Sequence, residues 1–363
     1  MGRAKVSTLF SRSLRRSLSA VTKSAVRAGS KALAQALKPR KAQATSPKRT
    51  KRSPVHRASV LPLRLRTGLQ SGLAGAQRYR LFVPPGVGRT ELVPLLVMLH
   101  GCGQSAEGFA NSTRMNQIAV RERFIVLYPE QNHIANLQGC WNWYQTRSGQ
   151  AQAEATAILA TISQVCRLQA VDPARIAVVG FSAGAGMAAL LAARHPERFR
   201  AVAMHSGVGP GVAHSTAGAL AAMRGHGLAT PLAALAAGLH LPALLIIQGS
   251  VDPIVASSNG AVAAQAWADL EGAQASAPRT VQRGTRYPAA LTDYRDRKRL
   301  VATLCSVERL GHAWSGGAAS QAFSDSKGPD ASRMVWAFAA KQFAASARHN
   351  PENSESGARL SLA

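Results

Sequence analysis

The stretch that decides the fold is Gly180-Phe181-Ser182-Ala183-Gly184. It follows the apolar run Arg175–Val179 and precedes the helix-prone residues Ala185–Arg194. This order predicts a strand, a tight turn and a helix, with Ser182 at the apex of the turn. Glycines at both ends permit a sharp backbone and leave room for a substrate carbonyl. We therefore expect the Ser182 hydroxyl to point out of the sheet as a nucleophile.

A nucleophilic serine needs a base and an orienting acid. In an α/β-hydrolase they follow in the chain order Ser, Asp, His, each just past a strand. The apolar run Ala243–Ile247 leads to Asp252, and the run Val301–Val307 leads to His312. Taken alone, Asp252 is equally explained as a turn former and His312 as a loop histidine. Their order after two strands favours the acid and the base of a catalytic triad.

Other acidic residues and histidines fit these roles less well. Asp269 lies in a helical pattern, while Asp293 and Asp296 lie in a basic segment that we interpret as turn-rich. His195 precedes a proline at a helix end and His205 closes a strand. We interpret both histidines as structural.

The oxyanion formed by serine attack needs two N–H donors. One is expected from Ala183, at the positive end of the helix that follows the serine. The run Leu95–Leu99 leads into the loop His100–Gln104, which should supply the other donor, and we assign it to Cys102. His100 is expected to brace this loop.

A set of short motifs spans about residues 78 to 338 and is specific as an ordered set. The motifs are Leu99-His100-Gly101-Cys102-Gly103-Gln104, Met115-Asn116, Tyr128-Pro129-Glu130-Gln131, Cys140-Trp141-Asn142-Trp143, Gly180-Phe181-Ser182-Ala183-Gly184, His205-Ser206-Gly207, Gly311-His312-Ala313-Trp314-Ser315-Gly316-Gly317 and Gly328-Pro329-Asp330-Ala331-Ser332.

This set resembles the esterases of the poly(3-hydroxybutyrate) depolymerase type, which include feruloyl and acetylxylan esterases. The resemblance implies an ester hydrolase without metal or cofactor, with Ser182, Asp252 and His312 as its triad. It also implies that Trp141 and Trp143 lie near the substrate cleft. One departure is Phe181 in place of leucine, which we expect to be harmless; others are the order Ala185-Gly186 and the segment Ala213–Leu241, which has no clear counterpart and leaves one cleft wall undefined.

The alternation of strands and helices predicts a mostly parallel, doubly wound sheet with helices on both faces, the α/β-hydrolase fold, over residues 61–345. No run of about 18 apolar residues predicts a transmembrane helix. Strands are expected near Tyr79–Val83, Leu95–Leu99, Phe124–Tyr128, Ile176–Val179, Ala201–Met204, Leu244–Ile247 and Val301–Val307, and helices near Ser105–Arg121, Ala151–Leu168, Ala183–Arg194, Val255–Leu270 and Ser332–Ala344.

Charge is concentrated at the start of the chain. The whole chain carries a net charge of +27, and residues 1–60 contain sixteen Lys or Arg and no acidic residue. Apolar residues recur there every three or four positions, which predicts a basic amphipathic helix, followed by a linker from Pro39 to about Val60. The polar residues 346–363 are expected to be a disordered tail.

Several interpretations of residues 1–60 stay open. Lys23 and Arg27 interrupt every candidate secretory signal, but an organelle transit peptide fits the composition. This basic arm could bind nucleic acid through contacts with phosphates. It could instead lie on the surface of a polyester granule, which is the interpretation we prefer. A solvated basic tail is the plainest alternative. The expected location is cytoplasmic or granule-associated, with an extracellular location, as for many members of the resembled family, as the alternative.

Four cysteines are few for a disulfide scaffold in a chain of this length. A bridge between Cys102 and Cys140 would join two loops near the cleft, but the missing export signal favours two reduced thiols. Cys166 and Cys305 are expected in the core, and no Cys/His spacing suggests a metal site.

The function expected from this pattern is hydrolysis of polyester or oligoester bonds through an acyl-enzyme. Feruloyl, acetylxylan or other short-chain ester hydrolysis is the main alternative, and a peptidase ranks below it. A granule- or nucleic-acid-binding structural protein with a vestigial hydrolase domain is the alternative from another class.

Overall fold

The computed structural model describes residues 65–72, 75–88, 90–227, 232 and 240–349. The basic arm at residues 1–60 and the tail beyond residue 349 lie outside the described residues. The strands are β1 (Arg66–Gly72), β2 (Gly75–Phe82), β3 (Val93–Leu99), β4 (Ile125–Glu130), β5 (Val171–Phe181), β6 (Ala201–His205), β7 (Ala243–Gly249), β8 (Gln274–Ala275), β9 (Arg279–Val281), β10 (Ala289–Asp296), β11 (Arg299–Val307), β12 (Trp314–Ser315) and β13 (Ser324–Asp325).

Helices alternate with these strands along the chain. They are α1 (Ala106–Thr113), α2 (Met115–Glu122), α3 (Gln150–Leu168), α4 (Ala183–Arg194), α5 (Thr216–Met223), α6 (Ser258–Leu270) and α7 (Ala331–His349), with a short 3₁₀ helix at Pro196–Arg198.

One large mixed sheet forms the centre of the fold, in the order β1-β2-β4-β3-β5-β6-β7-β11-β10-β8, with β9 paired to β10. The strands from β4 to β11 in this order run parallel, and all pairings of this sheet outside that set are antiparallel. Because the carboxyl ends of parallel strands meet at one edge, the loops after β3, β5, β6, β7 and β11 lie together there.

Side chains of the central strands alternate between two apolar cores. On β3, Leu95 and Val97 belong to one core and Leu96 and Met98 to the other. Helices α3, α4 and α6 cover the first core, and α1, α2 and α7 cover the second. Strands buried on both faces explain why their sequences are continuous apolar runs. The prediction of a sheet with helices on both faces is confirmed.

Three local predictions need correction. Asp293 and Asp296 lie half-buried on strand β10, not in a turn-rich segment, because this stretch pairs antiparallel with β11. The single helix expected over Ser105–Arg121 is two helices, broken at Arg114, whose φ of 55° is left-handed. The last helix runs to His349, beyond the domain boundary expected at residue 345. In the described part of the chain, no helix is long and apolar enough to span a membrane.

Candidate active site

Ser182 occupies the turn between strand β5 and helix α4. Its backbone has φ 55° and ψ −120°, angles that a residue with a Cβ rarely adopts. Its N–H donates to the carbonyl of His205 on the neighbouring strand at 2.9 Å, which holds the turn against the sheet. The strained backbone conformation is therefore at Ser182 itself, and it turns the serine side chain away from the strand.

The flanking glycines are required by close packing, since neither has a positive φ. A Cβ on Gly180 would lie 2.0 Å from the carbonyl oxygen of Gly184. A Cβ on Gly184 would lie 2.2 Å from the carbonyl oxygen of Leu99 and 2.5 Å from that of His100. The start of helix α4 thus packs directly on the end of strand β3. The prediction from the sequence was that these glycines give backbone freedom, whereas the structure requires them for this close contact.

The structure brings Ser182, His312 and Asp252 together at the carboxyl edge of the sheet. The Ser182 hydroxyl lies 3.0 Å from His312 Nε2, and His312 Nδ1 lies 2.8 Å from Asp252 Oδ2. Because a carboxylate only accepts hydrogen bonds, Nδ1 carries the proton and Nε2 is free to accept one from the serine. The arrangement has the geometry of a nucleophile, a general base and an orienting acid.

The carboxylate of Asp252 is held in its ionised form. Burial alone would raise its pKa, but hydrogen bonds from His312 and from the N–H groups of Val255 and Ile254 outweigh burial and lower the pKa. Both of those backbone groups donate to Asp252 Oδ1 at 2.8 Å. Oδ2 is therefore left to hold the histidine ring.

His205 positions the loop that carries His312. Its Nε2 accepts a hydrogen bond from the Ser315 N–H at 3.0 Å, and its ring stacks on Trp314. Burial lowers the pKa of His205 to about 3, so the ring is neutral and remains an acceptor. The sequence identified His205 as structural, but not that it supports the base.

Two N–H groups are the expected oxyanion donors. Ala183 is the first residue of helix α4, and Cys102 lies in the loop packed on Gly184. Neither N–H donates to another group among the described residues. Both N–H groups are thus without an acceptor in the described part of the chain, and their role as oxyanion donors stays a prediction.

The loop His100–Gln104, called the oxyanion loop for its expected role, is tied to a neighbouring segment by a disulfide. Cys102 and Cys140 are bonded, with their Cα atoms 4.2 Å apart. Of the two alternatives left open for this pair, the structure has the disulfide and not two reduced thiols, because the two loops meet. His100 is buried and accepts from the Gln131 N–H through Nε2, so it braces the loop.

Trp141 and Trp143 are both buried. Trp141 has no exposed surface, and its indole N–H donates to the His100 carbonyl at 3.1 Å. Trp143 packs against Gly186 on helix α4. Burial argues against direct substrate contact by Trp141, whose place is behind the oxyanion loop because its large apolar ring needs the core.

The rival residues have other partners. Asp293 accepts from Thr303 and pairs with Arg279 and Arg295, and Asp269 accepts from Gln265. None of them contacts Ser182 or His312. Within the described ranges, no group of three His, Cys, Asp or Glu side chains is arranged to hold a metal ion.

Comparison with known proteins identifies the family. A family model described as an esterase of the PHB depolymerase type matches residues 77–286. The chain belongs to the PHB depolymerase esterase family. The matched region includes Cys102, Ser182 and Asp252, and His312 lies beyond it.

Individual relatives match parts of the chain. Poly(3-hydroxyalkanoate) depolymerase C of Paucimonas lemoignei is 33% identical over 115 residues, 31% of this chain and 28% of the relative. Feruloyl esterase B of Thermothelomyces thermophilus is 32% identical over 120 residues, 33% of this chain and 41% of the relative. The matches thus span less than half the length of these relatives. An acetyl xylan esterase from Aspergillus awamori shares the fold, with a TM-score of 0.56, 23% identity, and coverage of 69% of this chain and 94% of that one.

Proposed function

We propose that this member of the PHB depolymerase esterase family is a serine carboxylic ester hydrolase that cleaves polyester or oligoester bonds. The observation that carries the proposal is the hydrogen-bonded chain from Ser182 through His312 to Asp252. It lies at the carboxyl edge of the parallel strands, where α/β folds place their active sites.

In the proposed mechanism, His312 Nε2 takes the Ser182 proton while Oγ bonds to the ester carbonyl carbon. The carbonyl oxygen becomes an oxyanion, which the N–H groups of Cys102 and Ala183 stabilise. Collapse breaks the bond to the alcohol, which leaves with the proton from His312. Water, deprotonated by the same histidine, then hydrolyses the acyl-enzyme and restores the serine.

A polymer substrate is supported by two exposed aliphatic side chains beside the oxyanion loop. Ile134 is 92% exposed and Leu137 is 90% exposed, although their loop is ordered by internal hydrogen bonds. The carbonyl of Gln138 accepts from the Gly103 N–H at 2.9 Å, which joins this loop to the one that carries Cys102. Ordered, solvent-facing aliphatic groups favour contact with an apolar surface such as a polyester.

The disulfide supports a location different from the preferred one. Disulfides persist in oxidising compartments and are rare in the cytosol. The Cys102–Cys140 bond therefore favours the extracellular alternative. A granule-targeting or nucleic-acid-binding role for residues 1–60 stays a separate proposal.

The first test is release of 3-hydroxybutyrate from amorphous polyhydroxybutyrate granules by the full chain, by a chain lacking residues 1–60 and by Ser182→Ala. We expect release by the full chain and a loss of about 10⁴-fold or more in Ser182→Ala, because the nucleophile is gone. Lower release after truncation, with soluble ester turnover unchanged, assigns the arm to targeting. Turnover of soluble esters without granule release would favour the feruloyl or acetylxylan alternative.

A second test addresses the exposed aliphatic groups. In the double variant Ile134→Ser/Leu137→Ser, we expect the ratio of granule hydrolysis to soluble-ester turnover to fall about tenfold, since the two side chains together lose roughly 1 to 2 kcal/mol of aliphatic contact. Leu92→Ser is the matched control, because Leu92 is also exposed but precedes β3 at the opposite edge of the sheet. An equal fall in the control would contradict the polymer-contact role.

A further inference from the structure

Glu154 on helix α3 is a buried carboxylate for which the proposed mechanism has no use. Its side chain accepts two hydrogen bonds from one residue: the Asn142 N–H donates to Oε2 at 2.8 Å, and the Asn142 side-chain amide donates to Oε1 at 2.5 Å. No ion pair reaches it within the described residues. Its charge is therefore balanced by amide donors alone.

Burial raises the pKa of Glu154, although the bonds from Asn142 and contacts with Gln131 and Gln150 act in the other direction. Keeping a carboxylate here thus costs free energy that an apolar or amide side chain would not. Only a carboxylate offers two acceptor oxygens at this spacing; a glutamine would turn its NH₂ group toward one of the Asn142 donors. The bidentate contact fixes both the backbone and the side chain of Asn142.

Asn142 belongs to the segment that supports the oxyanion loop. Cys140, two residues earlier, is bonded to Cys102, and its carbonyl accepts from the Gln131 side chain. Trp141, between them, donates to the carbonyl of His100. Residues 140–142 therefore contact the loop both covalently and through a buried hydrogen bond, and Glu154 holds the far end of this short segment.

We propose that Glu154 is a positioning residue that, acting through Asn142 and the Cys102–Cys140 bond, sets the place of the Cys102 N–H in the oxyanion hole. The inference rests on the proposed function, because it presumes that Ser182 attacks an ester carbonyl and forms a tetrahedral oxyanion. A shift of the donor by about 1 Å is enough to lower a rate by up to about a hundredfold.

The test compares the full-length wild type with Glu154→Gln. The readouts are kcat and KM for p-nitrophenyl butyrate, the rate of Ser182 labelling by a fluorophosphonate, and Tm. We expect kcat and the labelling rate to fall together by about tenfold, with KM within about twofold, since both reactions pass through the oxyanion hole. The disulfide-free variant Cys102→Ala/Cys140→Ala should lose most of this sensitivity to Glu154→Gln, because the connection is cut.

Thr161→Val is the matched control on the same helix. Thr161 is fully buried and donates to the Ala157 carbonyl at 2.8 Å, so its loss removes a buried hydrogen bond without touching Asn142. We expect its kcat and labelling rate to stay within about twofold of wild type at a comparable change in Tm.

Four results would contradict one or both proposals. Unchanged kcat and labelling in Glu154→Gln, or an equal fall in Thr161→Val, would overturn the positioning role while leaving the hydrolase in place. Labelling of wild-type Ser182 without turnover of p-nitrophenyl butyrate would contradict the proposed substrate class. The labelling rate of Glu154→Gln would then decide the positioning role. Absence of Ser182 labelling in the wild type would overturn both, since there would be no active oxyanion hole to position.

Discussion

The two sides of Ser182 are held by different kinds of contact. On the acid and base side, the loops that carry Asp252 and His312 are joined by hydrogen bonds between backbone groups. The Ser250 N–H donates to the Val307 carbonyl at 2.9 Å and the Val251 N–H to the Leu310 carbonyl at 3.2 Å. These bonds extend the pairing of β7 with β11 by a few residues beyond the sheet.

On the oxyanion side, the loop after β3 is held by side-chain contacts to a segment that does not continue the pairing of two strands. The disulfide joins Cys102 to Cys140, 38 residues away, and the Trp141 indole adds a hydrogen bond to His100. The supporting segment has no regular structure between β4 and helix α3. Sheet geometry thus places the acid and base, whereas tertiary tethers place the oxyanion donor, and the two sides should respond differently to substitution.

The largest effect is expected on the acid and base side. Asp252→Asn should lower kcat by about 10³- to 10⁴-fold, because an amide no longer holds His312 in the tautomer that accepts the serine proton. The loop hydrogen bonds are made by the backbone, so the fold should persist. Steady-state kinetics with a soluble ester and circular dichroism check both points; a loss below tenfold would mean that Asp252 does not orient the base.

The same variant has a pH signature. The pKa of Asp252 is lower in the folded protein than in the unfolded chain, where it is about 4. Ionised Asp252 therefore stabilises the fold above that pH, and this stabilisation is lost as pH falls through the folded pKa. The difference in unfolding free energy between wild type and Asp252→Asn should therefore be largest at pH 7 and become smaller at a pH below the folded pKa of Asp252. Urea titrations at the two pH values measure it, and a pH-independent difference would contradict the assignment.

The contrast between the sides also explains what the sequence predicted. Ser182, Asp252 and His312 each follow an apolar run closely, so strand order and parallel pairing are enough to bring them together. The central strands were predicted for the same reason, because burial on both faces makes them continuous apolar runs. Strand β10 was missed, since its half-exposed, charged sequence lacks such a run.

The oxyanion side was less predictable because its order depends on pairs that no local pattern reveals. The disulfide was considered but not preferred, and the sequence does not reveal that Trp141, expected near the cleft, is fully buried with its indole bonded to the His100 carbonyl. Nothing near Glu154 marks it as a partner of Asn142, twelve positions earlier. The signal available in the sequence was a single acidic residue in an alanine-rich helix, at a position expected to be buried, where an unpaired carboxylate is rarely found.

An intermediate effect is expected from cutting the covalent tether. Cys102→Ala/Cys140→Ala should lower the free energy of unfolding by about 2 to 4 kcal/mol, because the unfolded chain gains freedom. It should lower kcat by about tenfold, a fraction of the loss caused by removing an oxyanion donor outright.

Cys166→Ala is the control, since Cys166 is a half-buried free cysteine on helix α3. Denaturant unfolding and ester kinetics on both variants separate the tether from the loss of a thiol. Wild-type activity in the double variant would show that packing alone holds the oxyanion loop. A kcat loss as large as that of Asp252→Asn would remove the contrast between the two sides.

The smallest effect is expected where the two sides meet. The Phe181 ring lies 5.0 Å from the His312 ring, and it packs so closely on Gly101 that a Cβ there would lie 2.8 Å from Phe181 Cδ1. Phe181→Leu, the residue expected from the family pattern, should cost about 1 kcal/mol of stability and change kcat by less than about threefold, because each side keeps its own tethers. Thermal unfolding and ester kinetics measure both quantities. A kcat loss above about tenfold would mean that the Phe181 ring couples the position of the oxyanion loop to that of His312. The backbone bonds and the disulfide would then not be independent supports, because both would belong to one packed unit around Ser182.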